Sequence, residues 1–287
     1  MKEKYQLTEL YKHYLDSPLR SVKHSSYFLT YENLLEQYRN KPIIFVEVGI
    51  HNGGSLFMWR NFFGDNARII GVDLNPNANE LEKYGFEIFI GNQGENLFWK
   101  NFYKEVGKVD ILLDDGGHTY EQQINTVNNS VNYINDGGMI IVEDTHTSYF
   151  RNFGYPSKYT FTKWAHKISD NINARSEKVS IKNPKFKDAI YSIEFFESIV
   201  SFKIDRTKCT DSKPTSNNSE TMNYEDYRYS KTRIERLLGM LISFEKKSSL
   251  KKRNFLLKIL LKVNSIIYVY TQNIFNKYRT FKLRKLF

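Results

Sequence analysis

The 287-residue sequence predicts an α/β fold: a doubly wound, mostly parallel sheet with an antiparallel edge hairpin and helical N- and C-terminal extensions. Three observations predict it. Apolar runs of strand length alternate with helix-length segments from Ile43 to Val142, the rhythm of parallel strands joined by right-handed crossovers. The runs Val109–Leu113 and Met139–Val142 are branched and nearly uncharged, as expected of strands buried on both faces. The runs end in a glycine turn or an acidic corner, and open α/β sheets bind ligands at strand C-termini.

In chain order, residues 1–40 form a helical extension. Leu7, Leu10, Tyr11, Tyr14 and Leu15 make one apolar stripe and Tyr31, Leu34, Leu35 and Tyr38 a second, with Pro18 between them. Residues 41–205 form the core. A strand from Ile43 enters the turn Gly49-Ile50-His51-Asn52-Gly53-Gly54-Ser55, a helix with an aromatic face covers Leu56–Phe63, and Arg68–Asp73 is the next strand. A third strand at Phe86–Ile90 leads to the polar loop Gly91–Asn96. Val109–Leu113 leads to Asp114-Asp115-Gly116-Gly117-His118, and after a helix over 119–134 and a turn at Asn135–Gly138, Met139–Val142 delivers Glu143 and Asp144. A helix near 160–173 precedes two β-rich runs, Ala189–Phe196 and Ser198–Ile204, that pair as a hairpin. Residues 206–223 read as a polar linker and 224–287 as a basic helical extension.

The formal charge of +10 is unevenly placed. From Glu245 to Phe287 there are twelve Lys or Arg against one acid, so residues 1–244 sum to about −1 and the core needs no nucleic-acid partner. The lysines interrupt the apolar tail, which argues against a membrane span. Two readings stand for it: an interfacial helix on an anionic membrane surface, or a helix docked on protein. The single cysteine, Cys209, sits in a polar stretch and reads as an inert surface thiol. Met1–Tyr5 lacks a signal-peptide run, so a cytoplasmic place is expected, with peripheral attachment at the inner membrane face as the variant the tail allows.

The unit from Ile43 to Asp73 has the mechanics of nucleotide binding. Glycines let a ligand approach the backbone, helix N-terminal amides face polar groups, and an acid 24 residues after Gly49 accepts from ribose hydroxyls. The pattern is G-x-x-x-G-G, so the dinucleotide fingerprint G-x-G-x-x-G is absent and NAD is disfavoured. Glu47, two residues before the first glycine, suits an ammonium group, which points to S-adenosylmethionine. Gly49, Gly53 and Ser55 in the turn, Asp73, Asn92 or Gln93 for the adenine edge, and Asp114 make up the expected cofactor set.

Asp115, Glu143 and Asp144 come from neighbouring strand ends, and three carboxylates that close call for a hard divalent cation such as Mg²⁺. The competing reading makes Asp144 or Thr145 a helix cap. His118, three residues after Asp115, is placed to accept a hydroxyl proton, with Asp115 as its catalytic neighbour; His146 is the rival. His146, Tyr149 and His24 are candidates for substrate contact, the last beside Tyr27 at a pocket mouth.

At these residues the chain resembles class I S-adenosylmethionine-dependent methyltransferases, and more narrowly the metal-dependent sugar O-methyltransferases of the macrocin and mycinamicin type. The similarity runs from about Tyr27 to Ile204 and rests on E-V-G-I-H-N-G-G-S-L-x-M-W, G-V-D, G-N-Q, L-D-D-G-G-H and E-D-T-H-T-S-Y. It implies a Rossmann-like methyltransferase fold, cofactor contacts from Glu47, Gly49 and Asp73, Mg²⁺ on Asp115, Glu143 and Asp144, and His118 as base. Two positions depart from the family pattern: Asn92 stands where G-D-Q has aspartate, and Gly117 where D-D-G-S-H has serine. Relatives in bacterial surface-polysaccharide pathways imply a capsule or lipopolysaccharide sugar as acceptor, on a nucleotide carrier or another. A same-fold methyltransferase for phenolic, lipid or peptide acceptors, and a non-catalytic sugar- or partner-binding module tethered to a membrane, are the competing readings.

Overall fold

The computed structural model describes residues 3–220, 232–249, 255–284 and 286. Two compact units are present, Met1–Pro214 and Thr215–Phe287.

In the first unit a seven-stranded sheet is built from β1 (Ile44–Val48), β2 (Arg68–Asp73), β3 (Glu87–Ile90), β4 (Val109–Asp114), β5 (Ile134–Val142), β6 (Ile190–Phe196) and β7 (Ile199–Ile204), in the order β3-β2-β1-β4-β5-β7-β6. The first five pair in parallel, and β7 joins β5 and β6 antiparallel, so the predicted doubly wound sheet with its edge hairpin is the observed one. Strand order reverses between β1 and β4, where open sheets leave a crevice.

The strands alternate residues between two apolar layers, as a two-residue side-chain period requires. Phe45, Ile69, Ile111, Leu113, Met139 and Ile141 face one layer, with α1 (Glu9–Leu15), α2 (Ser25–Leu35) and α3 (Gly54–Phe63). Val46, Ile70, Val72, Leu112, Ile140 and Val142 face the other, with α4 (Asn96–Val106), α5 (Tyr120–Ser130) and α6 (Phe161–Ile172). The N-terminal segment is therefore one wall of the core. Its first stripe is narrower than the spacing suggested: Leu10 is buried, whereas Leu7 and Leu15 are 61% and 63% exposed. Leu7 lies in a 3-10 turn before α1, and Leu15 is five residues past Leu10, roughly 140° around the helix.

Two boundaries moved. The helix expected over 119–134 ends at Ser130, and Ile134 begins β5, so the Asn135–Gly138 turn lies inside a strand with a register shift against β4. A capping box starts α5: the Thr119 hydroxyl accepts from the Gln122 amide while Gln122 Oε1 accepts from the Thr119 amide. Cys209 is half-buried with its thiol donating to Asp205 O, and burial raises its pKa, in keeping with an unreactive thiol.

The second unit contains α7 (Arg233–Ser249) and α8 (Phe255–Leu283), which pack on each other. Residues 221–231, which include the end of the expected linker and the start of the expected helical extension, lie outside the described residues, as do 250–254. Among the described residues, no helix is long and apolar enough to cross a membrane.

Candidate active site

A cleft of about 700 Å³ opens at the C-terminal ends of the parallel strands. Its walls come from three places: the segment Arg20–Val22, the glycine turn with Asp73, and the two acidic corners with Asn92 and Gln93.

The turn after β1 is built around close backbone approach. Gly49 has φ +84°, and a Cβ there would collide with the backbone of Asp115 and lie 2.6 Å from Gly116 Cα, so the close approach of the β1 turn to the β4 corner requires glycine at 49. At Gly54 a Cβ would meet the backbone of Leu19 and Arg20, 2.6 Å from Arg20 O. That glycine makes room for the chain itself, where the sequence alone suggested room for a ligand. Asp73 organises the turn: Oδ2 accepts from the amides of Ile50 and His51, both at 3.1 Å, and Oδ1 from Asn75 at 2.8 Å. A carboxylate has further lone pairs, so Asp73 still offers acceptors to the cleft.

Glu47 is fully buried at the end of β1, where Ser55 Oγ donates to Oε2 at 2.6 Å. Burial raises its pKa against the pull of Lys23 and the Ser55 hydrogen bond. Gln93 and Asp114, both expected on the cofactor, serve each other. Gln93 Nε2 donates to Asp114 Oδ1 at 2.8 Å and to Thr126, and Gln93 Oε1 accepts from Gly117 N. Burial raises the Asp114 pKa, and Asp114 does not line the cleft. Asn92 lines it, but its side chain turns back on Gly94 and Glu95. Gly53 lies against the Leu81 side chain.

The acidic corners meet because Leu113 pairs with Ile141 and Asp114 with Val142. His118 Nε2 lies 3.4 Å from Asp144 Oδ2 and 3.9 Å from Asp115 Oδ1. One ligand atom from each of Asp115, His118 and Asp144 falls within 4.8 Å of the others, and His24, Asp144 and His146 form a second such trio. His118 and Asp144 hold φ of +57° and +53°, a region that costs a non-glycine residue energy and recurs at functional sites. Surrounding bonds hold that geometry. Thr147 Oγ1 donates to His118 O, Gln123 Nε2 to Glu143 O, and the Tyr120 hydroxyl lies 2.9–3.1 Å from the carbonyls of Ser148, Phe150 and Gly154.

Glu143 stands apart from the other expected metal ligands. Lys23 Nζ donates to both its oxygens, at 3.0 and 3.2 Å, and the Tyr31 hydroxyl donates to Oε1. Lys23 also lies 2.5 Å from Asp115 Oδ2 and 3.4 Å from Glu47 Oε1. Burial alone would lower the lysine pKa, but attraction to Asp115, Glu143 and Glu47 outweighs it and holds the ammonium protonated. Burial and repulsion from Asp115 push the Glu143 pKa well up, against Lys23 and Tyr31. Sequence reasoning missed Lys23 and Tyr31, and placed Tyr27 only at a pocket mouth. The available signal was that Tyr27 and Tyr31 sit four apart on a helix stripe, where a buried hydroxyl needs a partner. Of the expected substrate residues, His24 is 64% exposed at 3.9 Å from Asp144, His146 Nδ1 is 4.0 Å from it, and Tyr149 points to solvent.

As a donor set the corner suits a hard cation, because Asp115 and Asp144 bring carboxylate oxygens within a few ångströms of each other.

Comparison with known proteins agrees with this fold. Residues 46–145 match the model of a methyltransferase domain. A tetracenomycin-C rhamnosyl 3'-O-methyltransferase of Streptomyces olivaceus is 31% identical over 131 residues, 43% of this chain and 33% of the relative. Demethylmacrocin O-methyltransferase of Streptomyces fradiae (28%, with the same two coverages) and mycinamicin VI 2''-O-methyltransferase of Micromonospora griseorubida (27%; 43% and 32%) match similarly. The matches span about a third of the length of these curated relatives. Among solved structures, MycE methyltransferase of the mycinamycin pathway, in complex with Mg and SAH, superposes with a TM-score of 0.62 at 23% identity, over 72% of this chain and 55% of that one. Residues 46–145 thus resemble a methyltransferase domain, the fold is Rossmann-like, and the resemblance to the macrocin and mycinamicin type of O-methyltransferase holds over the matched part of the chain.

Proposed function

We propose that this protein transfers the methyl group of S-adenosylmethionine to a hydroxyl of a sugar. The observation that carries the proposal is one continuous cleft lined on one side by Gly49, Ser55 and Asp73 and on the other by Asp115, His118 and Asp144. In this reading the cofactor's ribose lies toward Asp73, while Glu47 sits behind the cleft wall on Ser55 and Lys23. The acceptor oxygen attacks the methyl carbon as the carbon–sulfur bond breaks, S-adenosylhomocysteine leaves, and the hydroxyl proton passes to the His118 imidazole. Asp144 and Asp115, facing Nε2, stabilise the imidazolium. Asp115 and Asp144 are the residues that would hold Mg²⁺, which would lower the pKa of a bound hydroxyl. Glu143, occupied by Lys23 and Tyr31, supports that pair from behind.

The test is calorimetric titration with S-adenosylhomocysteine, with and without Mg²⁺, followed by methyl transfer to a panel of sugars. Asp73→Ala is expected to weaken binding. His118→Ala is expected to keep binding and to lose about 10²–10⁴-fold in rate. Full activity in His118→Ala removes the proposed base, and folded wild type that binds no cofactor turns the reading to a sugar-binding module.

The acceptor class is taken from the curated relatives, among them one whose name specifies a rhamnosyl group. Within it we favour a bacterial surface polysaccharide, capsule or lipopolysaccharide, made at the cytoplasmic face of the membrane. α8 supports that placement. Leu257, Leu261, Asn264, Tyr268 and Phe275 occupy one side of α8, buried or half-buried. A second apolar stripe on another side is exposed: Leu256, Val263, Ile266, Tyr270, Ile274 and Phe281 are 47–70% accessible. Between Phe255 and Leu283 there are five Lys or Arg and no acid, so the charge complement of this stripe is an anionic lipid surface.

A further inference from the structure

Lys23 enters the reading above only as a partner of Glu143, yet it is paired with three carboxylates at the cleft. Its side chain is 2% exposed and meets Asp115, Glu143 and Glu47, whose own side chains are 20%, 1% and 0% exposed. It comes from the strap between α1 and α2. That strap is pinned over the glycine turn, where Ser17 Oγ donates to Gly54 O at 2.8 Å and Leu19 and Arg20 cross Gly54. Arg20, Ser21 and Val22 then form the cleft wall. One residue therefore joins the wall of the cleft to the acids at its floor.

We propose that Lys23 is a resident counter-cation. Its ammonium fills the space between Glu47, Asp115 and Glu143 that a metal ion would otherwise draw on, leaves Asp115 and Asp144 as the metal-facing pair, and latches the strap over the cofactor. The charges support this assignment. Glu47, Asp115, Glu143 and Asp144 bring four negative charges to one small volume when ionised. Against these Lys23 supplies one positive charge at 2.5–3.4 Å from three of the four carboxylates, and a divalent ion on Asp115 and Asp144 would supply two more. Without Lys23, Glu143 is left buried with only the Tyr31 hydroxyl, and an unpaired buried carboxylate is costly. A divalent ion offered to that cleft gains Glu143 as a further oxygen ligand. Lys23 is thus a positioning residue whose removal makes cofactor binding depend on metal. The part concerning the cofactor rests on the function proposed above; the part concerning the metal does not.

The experiment is Lys23→Met, read by titration of Mn²⁺ alone and of S-adenosylhomocysteine with and without Mg²⁺. We expect Mn²⁺ to bind about tenfold more tightly than in wild type, metal-free cofactor affinity to fall about tenfold or more, and Mg²⁺ to restore it. Unchanged Mn²⁺ affinity overturns the proposal, and so does a cofactor defect that Mg²⁺ leaves in place. If folded wild type binds no cofactor while Mn²⁺ still tightens in the variant, the methyltransferase reading fails and the counter-cation stands. If Lys23→Met does not fold, Lys23→Met with Glu143→Gln removes both charges together. A folded double variant supports the charge role, and an unfolded one overturns it.

Discussion

Tyr27 and Asp144 fix each other: the phenol donates to Asp144 Oδ1 at 2.5 Å and accepts from the Asp144 backbone amide at 3.3 Å. The partners are 117 residues apart in sequence, and the contact sets both the carboxylate and the left-handed backbone of Asp144. Tyr27→Phe is expected to destabilise the fold by about 1–3 kcal/mol, the usual cost of losing a hydrogen bond to a charged group. It should weaken Mg²⁺ binding more than cofactor binding, since Asp144 belongs to the acidic corner. Thermal unfolding and two calorimetric titrations check this; equal loss of both affinities would mean a general loosening of the cleft.

Gly54 faces the strap, so the smallest side chain there pushes on Leu19 and Arg20 backbone. Gly54→Ala is expected to cost about 1–3 kcal/mol of stability through overpacking, and to weaken S-adenosylhomocysteine by displacing the cleft wall. Equilibrium unfolding in urea and a cofactor titration measure the two effects. If affinity falls with stability unchanged, the glycine serves the ligand and not the strap.

Alkaline pH should unfold the protein through its buried tyrosines. Burial, reinforced by Asp110, pushes Tyr38 up from 10.0 to about 12, and Tyr27 and Tyr31 are raised in the same direction, by burial first and by Asp144 or Glu143 next. In the unfolded chain these groups lose protons near pH 10 while the folded chain keeps them. The stability they contribute is therefore complete below pH 10 and is lost as pH rises, for Tyr38 across the window from 10 to about 12. Denaturant melts from pH 9 to 12 should show falling stability with a shallower slope in Tyr38→Phe. The same slope in both would exclude Tyr38 as a contributor.

The exposed stripe of α8 predicts binding to vesicles containing anionic lipid, weakening as salt screens its lysines. In flotation of the full chain, Val263→Glu with Ile274→Glu should abolish binding without altering the cofactor titration. Lys258→Gln with Lys262→Gln should reduce binding to anionic vesicles only. Wild type that ignores vesicles but self-associates in light scattering would assign the stripe to a second copy of the chain.

The fold was legible because its signals are local. Branched apolar runs at Ile43–Val48, Val109–Leu113 and Met139–Val142 call for burial on both faces, which a parallel sheet with crossovers provides. The strand ends then put Asp73, Asp115, His118 and Asp144 at one edge of the sheet. The legible part stopped at roles that depend on partners. Gln93 and Asp114 read as cofactor contacts by position, and the fold bonds them to each other, Gln93 Nε2 to Asp114 Oδ1, while Gln93 lines the cleft and Asp114 Oδ2 is buried without a partner.

What the sequence determined by itself was the order of strands and helices, the glycine turn and the acidic corners, since each follows from side-chain periodicity and backbone allowance within a few residues. What only the tertiary structure decided was who answers the acids. Lys23 lies 92 residues from Asp115 and 120 from Glu143, in a polar strap without periodicity, and Tyr31 lies 112 from Glu143. Charge pairing acts through space at a few ångströms and leaves no spacing in the chain. A lysine beside Pro18 and His24 therefore looks like any solvated cation until the fold closes it into the cleft.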